Sequence, residues 1–255
     1  MSTLFFTFIK ISTTAQIHQW PRSTPAPITT AACFAVESQK ISMSSPRRCR
    51  AVLITLLTWA VALAAIRAIA QDAHQNLLRK VIAAAIEQTH HSVHYDGSYV
   101  RIPYPGGDVP ADTGVCTDVI IRAYRAAGID LQKEVHEDIG RNFSAYPHQS
   151  RWHTAKPDTN IDHRRVPNLM VFFARNGKAF ALPTKPEDYL PGDLVAWNLG
   201  GGILHIGIVA DQKSPDSGRW MIVHNIGAGP QLEDILFNWK IIGHYRFPVP
   251  EVVTE

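Results

Sequence analysis

Cysteine is scarce in this chain: three in 255 residues, with only Cys116 beyond residue 70. Cys33 and Cys49 fall in the first seventy residues, so the remainder has no pair to form an internal disulfide and must rely on a packed core. Internal repeats are lacking too. So are low-complexity linkers, and residues 71–255 are enough for one domain with a full core. A basic surface is also missing, despite a formal net charge of +3. Residues 1–70 hold seven of the 25 Lys and Arg and one of the 22 Asp and Glu. The rest therefore carries 18 basic and 21 acidic residues, a net charge of −3. Such a balance leaves no electrostatic footprint for nucleic acid, and none is expected as a partner.

What the first seventy residues do contain is a targeting pattern. The segment Met43-Ser44-Ser45-Pro46-Arg47-Arg48-Cys49-Arg50 is basic and is followed by an apolar run over 51–66. Ala68-Ile69-Ala70 then offers a small-x-small cleavage site. These are the three parts of a secretory signal peptide, read here as 43–70 with cleavage near Ala70. Residues 1–42 are rich in Ser, Thr and Pro without a sustained period, and we read them as a spurious or disordered extension ahead of an initiator at Met43. The chain is thus expected to be exported, periplasmic or secreted, and to touch a membrane only through the signal segment if that stays uncleaved.

The domain expected over 71–255 begins with a helix, because Leu77, Leu78, Val81, Ile82, Ala85 and Ile86 recur at helical spacing within 72–91. Residues 95–113 are rich in Gly, Pro and Asp and predict an extended loop. A second helix is expected from Cys116, with Val119, Ile120, Ala123, Tyr124 and Ala127 on its apolar side and Gly128 ending it. Residues 130–170 are dense in charge, His, Pro and Asn, and read as a long, partly helical insertion across a surface. Beyond Pro191-Gly192-Asp193 the pattern turns to strands at 194–197, 203–209 and 220–224, with a fourth predicted at 243–247. Helices first and an antiparallel sheet later give an α+β class.

Three residues then carry the chemistry. Cys116 opens its helix, where the positive end of the macrodipole favours a thiolate. His205 stands in an apolar strand on the face it shares with Gly207 and Val209, so a glycine leaves room beside it. His224 ends the following strand, and an antiparallel hairpin would set it next to His205. Thiol hydrolases need this series of nucleophile, imidazole and polar orienter. Taken singly, each residue also has a plain structural reading, as a core thiol or a satisfied core histidine.

The order of motifs resembles the NlpC-type, papain-like cell-wall peptidases. Tyr104-Pro105-Gly106-Gly107 precedes Cys116 at the family-like interval, while Gly192-Asp193-Leu194-Val195 and His205-Ile206-Gly207-Ile208 match two strands of that family. His224 falls at its third catalytic position. The chain departs from the usual Asp-Cys-Ser-Gly motif, reading Val115-Cys116-Thr117-Asp118. A closer resemblance is to the YijF-like family of exported bacterial proteins. It is carried by Gly114-Val115-Cys116-Thr117-Asp118-Val119, residues 158–168, His205-Ile206-Gly207-Ile208-Val209, His224-Asn225-Ile226-Gly227 and Gly243-His244-Tyr245-Arg246.

The resemblance implies a papain-like (NlpC-type) fold, with N-terminal helices packed on a small antiparallel sheet or half-barrel. The NlpC-type resemblance also implies a Cys116, His205, His224 triad acting through an acyl-enzyme. The YijF-like resemblance brings no established substrate, and compartment and family together make peptidoglycan stem peptides or another small peptide or amide the expected one. Oxyanion and substrate contacts are expected from Tyr104, Asp118, Arg164, Arg165 and Asn225. Asn225 is the alternative orienter, and an ion pair with Asp158 or Asp162 is the structural reading of the two arginines. No cofactor and no metal are expected: His136, His148, His153 and His163 lack ligand spacing. The rival functions are a catalytically inactive domain that binds wall fragments, a thiol acyltransferase on the same fold and, at lower weight, a zinc-dependent hydrolase.

Overall fold

The computed structural model describes residues 46–182 and 184–249. The extension expected over 1–42 and the initiator at Met43 lie outside the described residues. Contacts divide the chain into residues 1–50 and 51–255. Of the first unit only 46–50 are described, as helix; among the described residues the second carries the strands and the other helices.

Helix α1 runs Pro46–Glu87, so the apolar segment continues without a break into the helix expected over 72–91. Its C-terminal turns bury Leu78, Val81, Ile82 and Ala85, the stripe set by their i, i+3, i+4 spacing. Further back, Leu56, Leu57, Trp59, Val61, Ile66 and Ile69 are exposed. The stretch Leu56–His90 is long and apolar enough to cross a membrane by length and composition. A signal sequence passes the same test.

Two short strands, β1 (His94–Tyr95) and β2 (Thr113–Gly114), pair in parallel and close the 95–113 loop. Helix α2 (Cys116–Ala126) follows at once. Its start is held by Asp118, whose carboxylate accepts the Val115 N–H at 2.7 Å. Gly128, at φ +91°, supplies the left-handed turn after its last residues. Helix α3 (Leu131–Arg141) is capped by Asp130, which accepts the Gln132 N–H at 3.1 Å. It buries Leu131, Val135 and Ile139 at four-residue steps. Helix α4 (Val166–Asn176) starts with Pro at its second residue and buries Leu169, Phe172 and Phe173.

The rest is mainly an antiparallel sheet of β3 (Lys178–Ala179), β4 (Leu194–Gly200), β5 (Ile203–Lys213), β6 (Trp220–Asn225), β7 (Pro230–Glu233) and β8 (Lys240–Arg246). The spatial order is β3-β8-β4-β5-β6-β7. Its two faces bury different things. Ile206, Ile208, Ala210, Val223, Leu194 and Ala196 pack with residues of the four helices in the main core. Val195, Trp197, Val209 and Ile222 form a smaller core with Tyr189, Ile235 and Leu236. Period-two alternation along β5 therefore decides which residue meets which layer. The α+β class stands, and the four expected strands are β4, β5, β6 and β8.

Candidate functional site: Cys116 and a histidine pair on two sides of one strand

Cys116 is 4 % exposed and belongs to the helix-side core. The main-chain groups of Ile206, the residue next to His205, and of Thr117 and Cys116 at the start of α2 act to lower the pKa of its thiol. Burial outweighs them and the Asp118 carboxylate adds to the rise, so the thiol is pushed up to about 11. The helix-terminus argument for a lowered value is thus outweighed by desolvation.

His205 leaves β5 toward the other face, where its ring lies 5.8 Å from Trp197 and 6.0 Å from Trp239. There its Nε2 is 3.0 Å from Nδ1 of His224, and Nε2 of His224 is 2.8 Å from Glu233 Oε2. The expected approach of the two histidines is present. Gly207 lies between them on the same face and leaves the room: a Cβ there would sit 2.6 Å from Ile222 Cγ2 and 3.2 Å from His224 Cβ. Burial, and then the neighbouring His224, lower His205 to about 3. Burial lowers His224 too, although Glu233 opposes the shift. Both rings are therefore neutral near pH 7. Among the described residues no hydrogen bond joins the Cys116 sulfur to either imidazole, and His205 Nδ1 accepts or donates none.

The remaining expected residues sit as follows. Asn225 points to the Cys116 side, opposite to His224, and its Nδ2 donates to Gly114 O at 3.3 Å. Asp118 and Arg164 form a buried bidentate pair at 2.8 and 2.9 Å, with side-chain exposures of 3 % and 2 %. Arg164 also donates to Ser98 O and Asp96 O, and Thr117 Oγ1 donates to Arg164 O. These bonds tie residues 158–168 to the start of α2 and occupy both side chains internally. Arg165 pairs with Asp162 at 3.0 Å and lies 4.1 Å over the Trp152 ring. Tyr104 stands edge-on to His136 of α3 at 5.0 Å, with Glu137, Asp130 and Glu134 around it. It is held there because Gly106 and Gly107 donate to Asp130 and Gln132.

The tyrosine near the thiol is Tyr95. Although 41 % exposed, it is pushed up to about 12 by its partial burial, with the Cys116 and Asp118 charges adding to the rise. It reaches this place through the β1–β2 pairing, which sets Tyr95 opposite Gly114. Neither Tyr95 nor Glu233 is singled out by any local motif. A parallel two-residue ladder is invisible to periodicity, and Glu233 becomes visible only once β6 and β7 are in register. Asp193, in the Gly-Asp-Leu-Val match, pairs with His244 at 2.8 Å and Arg246 at 2.7 Å, and so locks β8 to the start of β4. Among the described residues no three His, Cys, Asp or Glu side chains converge on a point that could hold a metal ion.

The family described as a domain of unknown function (DUF1287) matches residues 82–247. That span holds every residue of the site. The uncharacterized protein YijF of Escherichia coli (strain K12) is 51 % identical over 163 residues, covering 64 % of this chain and 78 % of its own length. On both grounds the chain belongs to the DUF1287 family.

Proposed function

We propose that this chain is an exported thiol hydrolase of papain-like, NlpC-type architecture that cleaves an amide bond, with peptidoglycan stem peptides as the substrate class. The observation that carries the reading is local. Cys116 opens α2 and its thiol feels the main chain of Ile206, the residue beside His205, while His205 is already hydrogen-bonded to His224. A nucleophile, a base and an orienter thus sit on neighbouring elements, with the thiol on one face of β5 and the two imidazoles on the other. Compartment and substrate rest on the apolar segment 51–66 and the family-like motifs.

In this mechanism Cys116 gives its proton to His205 Nδ1 and its sulfur attacks the carbonyl carbon. His205 then returns the proton to the leaving amine. Water, deprotonated by His205, cleaves the thioester and frees Cys116. The Cys116 N–H and the Tyr95 hydroxyl are the donors for the oxyanion, the role first expected of Tyr104. The mechanism requires the sulfur and His205 Nδ1 to come within hydrogen-bond reach on substrate binding while His205 Nε2 stays bonded to His224. Incubating peptidoglycan fragments with the full chain, Cys116→Ala and His205→Ala tests it. New amino groups should appear with the full chain alone, and equal release by Cys116→Ala sinks the proposal. An added amine acceptor separates hydrolysis from acyl transfer, because a transferase would yield the new amide.

A second reading has its own support. The buried, upshifted thiol suits a core residue, and the fold would then bind wall fragments without turning them over. Under it, the full chain and Cys116→Ala bind the same fragments equally and neither releases product.

A further inference from the structure

The histidine pair does not end at His224. Its Nε2 lies 2.8 Å from a carboxylate oxygen of Glu233, which is 47 % exposed while His224 is fully buried. Ile222 is paired with Glu233 and His224 with Gln231, so Glu233 is the diagonal cross-strand neighbour of His224 on the same face. We infer that Glu233 is a positioning residue: through His224 it fixes which ring nitrogen of His205 carries the proton.

The argument is a count of donors and acceptors. An ionised carboxylate only accepts, so Nε2 of His224 must carry the hydrogen between them. Burial penalises an imidazolium, so His224 is neutral and its Nδ1 holds a lone pair. That lone pair faces His205 Nε2 at 3.0 Å, and a hydrogen bond there requires the proton on His205 Nε2. His205 in turn is neutral, which leaves Nδ1 with the free lone pair. Among the described residues nothing hydrogen-bonds to that nitrogen. One exposed carboxylate therefore selects a single tautomer for two buried rings and leaves one nitrogen ready to accept a proton. Without Glu233 the pair could hydrogen-bond in the opposite sense, with Nδ1–H on His224 and on His205, and the base would be lost.

The functional meaning of this arrangement rests on the thiol-hydrolase reading; the tautomer does not. Long-range proton–nitrogen spectra of the full chain in detergent, with nitrogen-15 histidine, read both. The native chain should show His205 and His224 each in a single Nε2–H form. Glu233→Met, at a half-exposed strand position, should keep the thermal midpoint while both rings become tautomer mixtures. Glu233→Asp should return them toward the native pattern. An Nδ1–H form of His205 in the native chain, or unchanged tautomers in Glu233→Met, overturns the inference. On an active preparation, Glu233→Met should lower kcat at least about tenfold with KM nearly unchanged, as expected when a base is held in the wrong tautomer. A hydrolysis assay insensitive to Cys116→Ala would instead remove the hydrolase reading and leave the tautomer result standing.

Discussion

Removing either partner of the Asp118–Arg164 pair should unfold the start of α2 rather than merely weaken a ligand. The two side chains are almost wholly enclosed and share two hydrogen bonds of 2.8 and 2.9 Å. Arg164→Met leaves the Asp118 carboxylate buried without its counter-charge and frees the carbonyls of Ser98 and Asp96. Breaking a buried pair from one side costs about 3–5 kcal/mol. That is a large share of the roughly 5–15 kcal/mol that holds a domain together. Asp118→Ala adds the loss of the carboxylate that accepts the Val115 N–H, and should cost at least as much. The double variant should cost less than the sum of the two, because the second change removes a charge the first left stranded. Urea unfolding of the three variants reads these values. If Arg164 were a substrate ligand, Arg164→Met would leave the midpoint within about 1 kcal/mol of native. That result, with a changed affinity for a substrate, would refute the reasoning.

The buried thiol makes a kinetic prediction. Raised from 9.0 to about 11, Cys116 in the free, folded chain should alkylate about 100-fold more slowly near neutral pH than an exposed cysteine, and urea should restore the rate. Fast labelling of the folded free chain would contradict the burial argument. The neutral buried histidines predict acid sensitivity. His205 is lowered to about 3 and His163, by burial and then Arg164, to about 4, so the unfolded chain binds more protons below the ordinary value of 6.5. Stability should therefore fall with pH from about 6.5 downward, by about 1.4 kcal/mol per pH unit for each histidine until its folded value is reached. A flat urea midpoint between pH 6.5 and 4.5 would contradict this. Gly207→Ala should push β6 away from β5, since its Cβ would meet Ile222 Cγ2 at 2.6 Å and Val223 O at 3.0 Å. Overpacking of this kind costs about 1–3 kcal/mol, and a crystal structure of the variant with the His205–His224 bond intact would count against it.

Much of this fold is legible in the residues. The strands β4, β5 and β6 announce themselves by apolar runs between glycine turns, and α2 by Val119, Ile120, Ala123 and Tyr124 closing at Gly128. Helix α3 is harder to see because Lys133, Glu134, His136, Glu137 and Asp138 crowd the stripe of Leu131, Val135 and Ile139. The Asp130 cap is the signal that marks it. Strand β7 opens on Pro230 after two glycines, which reads as loop until its pairing with β6 is known.

The site divides in the same way. The pairing of His205 with His224 follows from a hairpin and a glycine, both visible in the chain. The placement of Cys116 on the other side of β5 does not, because it depends on which face α2 covers. The internal use of Arg164 is likewise a three-dimensional fact: its partner Asp118 is 46 residues away. Charge-rich segments such as 158–168 look like binding loops, yet here they are hydrogen-bonded to the protein's own Tyr99, Ile102 and Thr117.

The most direct test of the central claim is a covalent intermediate on Cys116. The full chain would be mixed with a stem-peptide ester, quenched in acid within its first turnovers and measured as intact protein and as peptides. The account predicts one acyl group, mapped to Cys116, formed by the native chain and absent in His205→Ala. Turnover of the substrate with no adduct on Cys116, or an adduct of equal yield in His205→Ala, would contradict it.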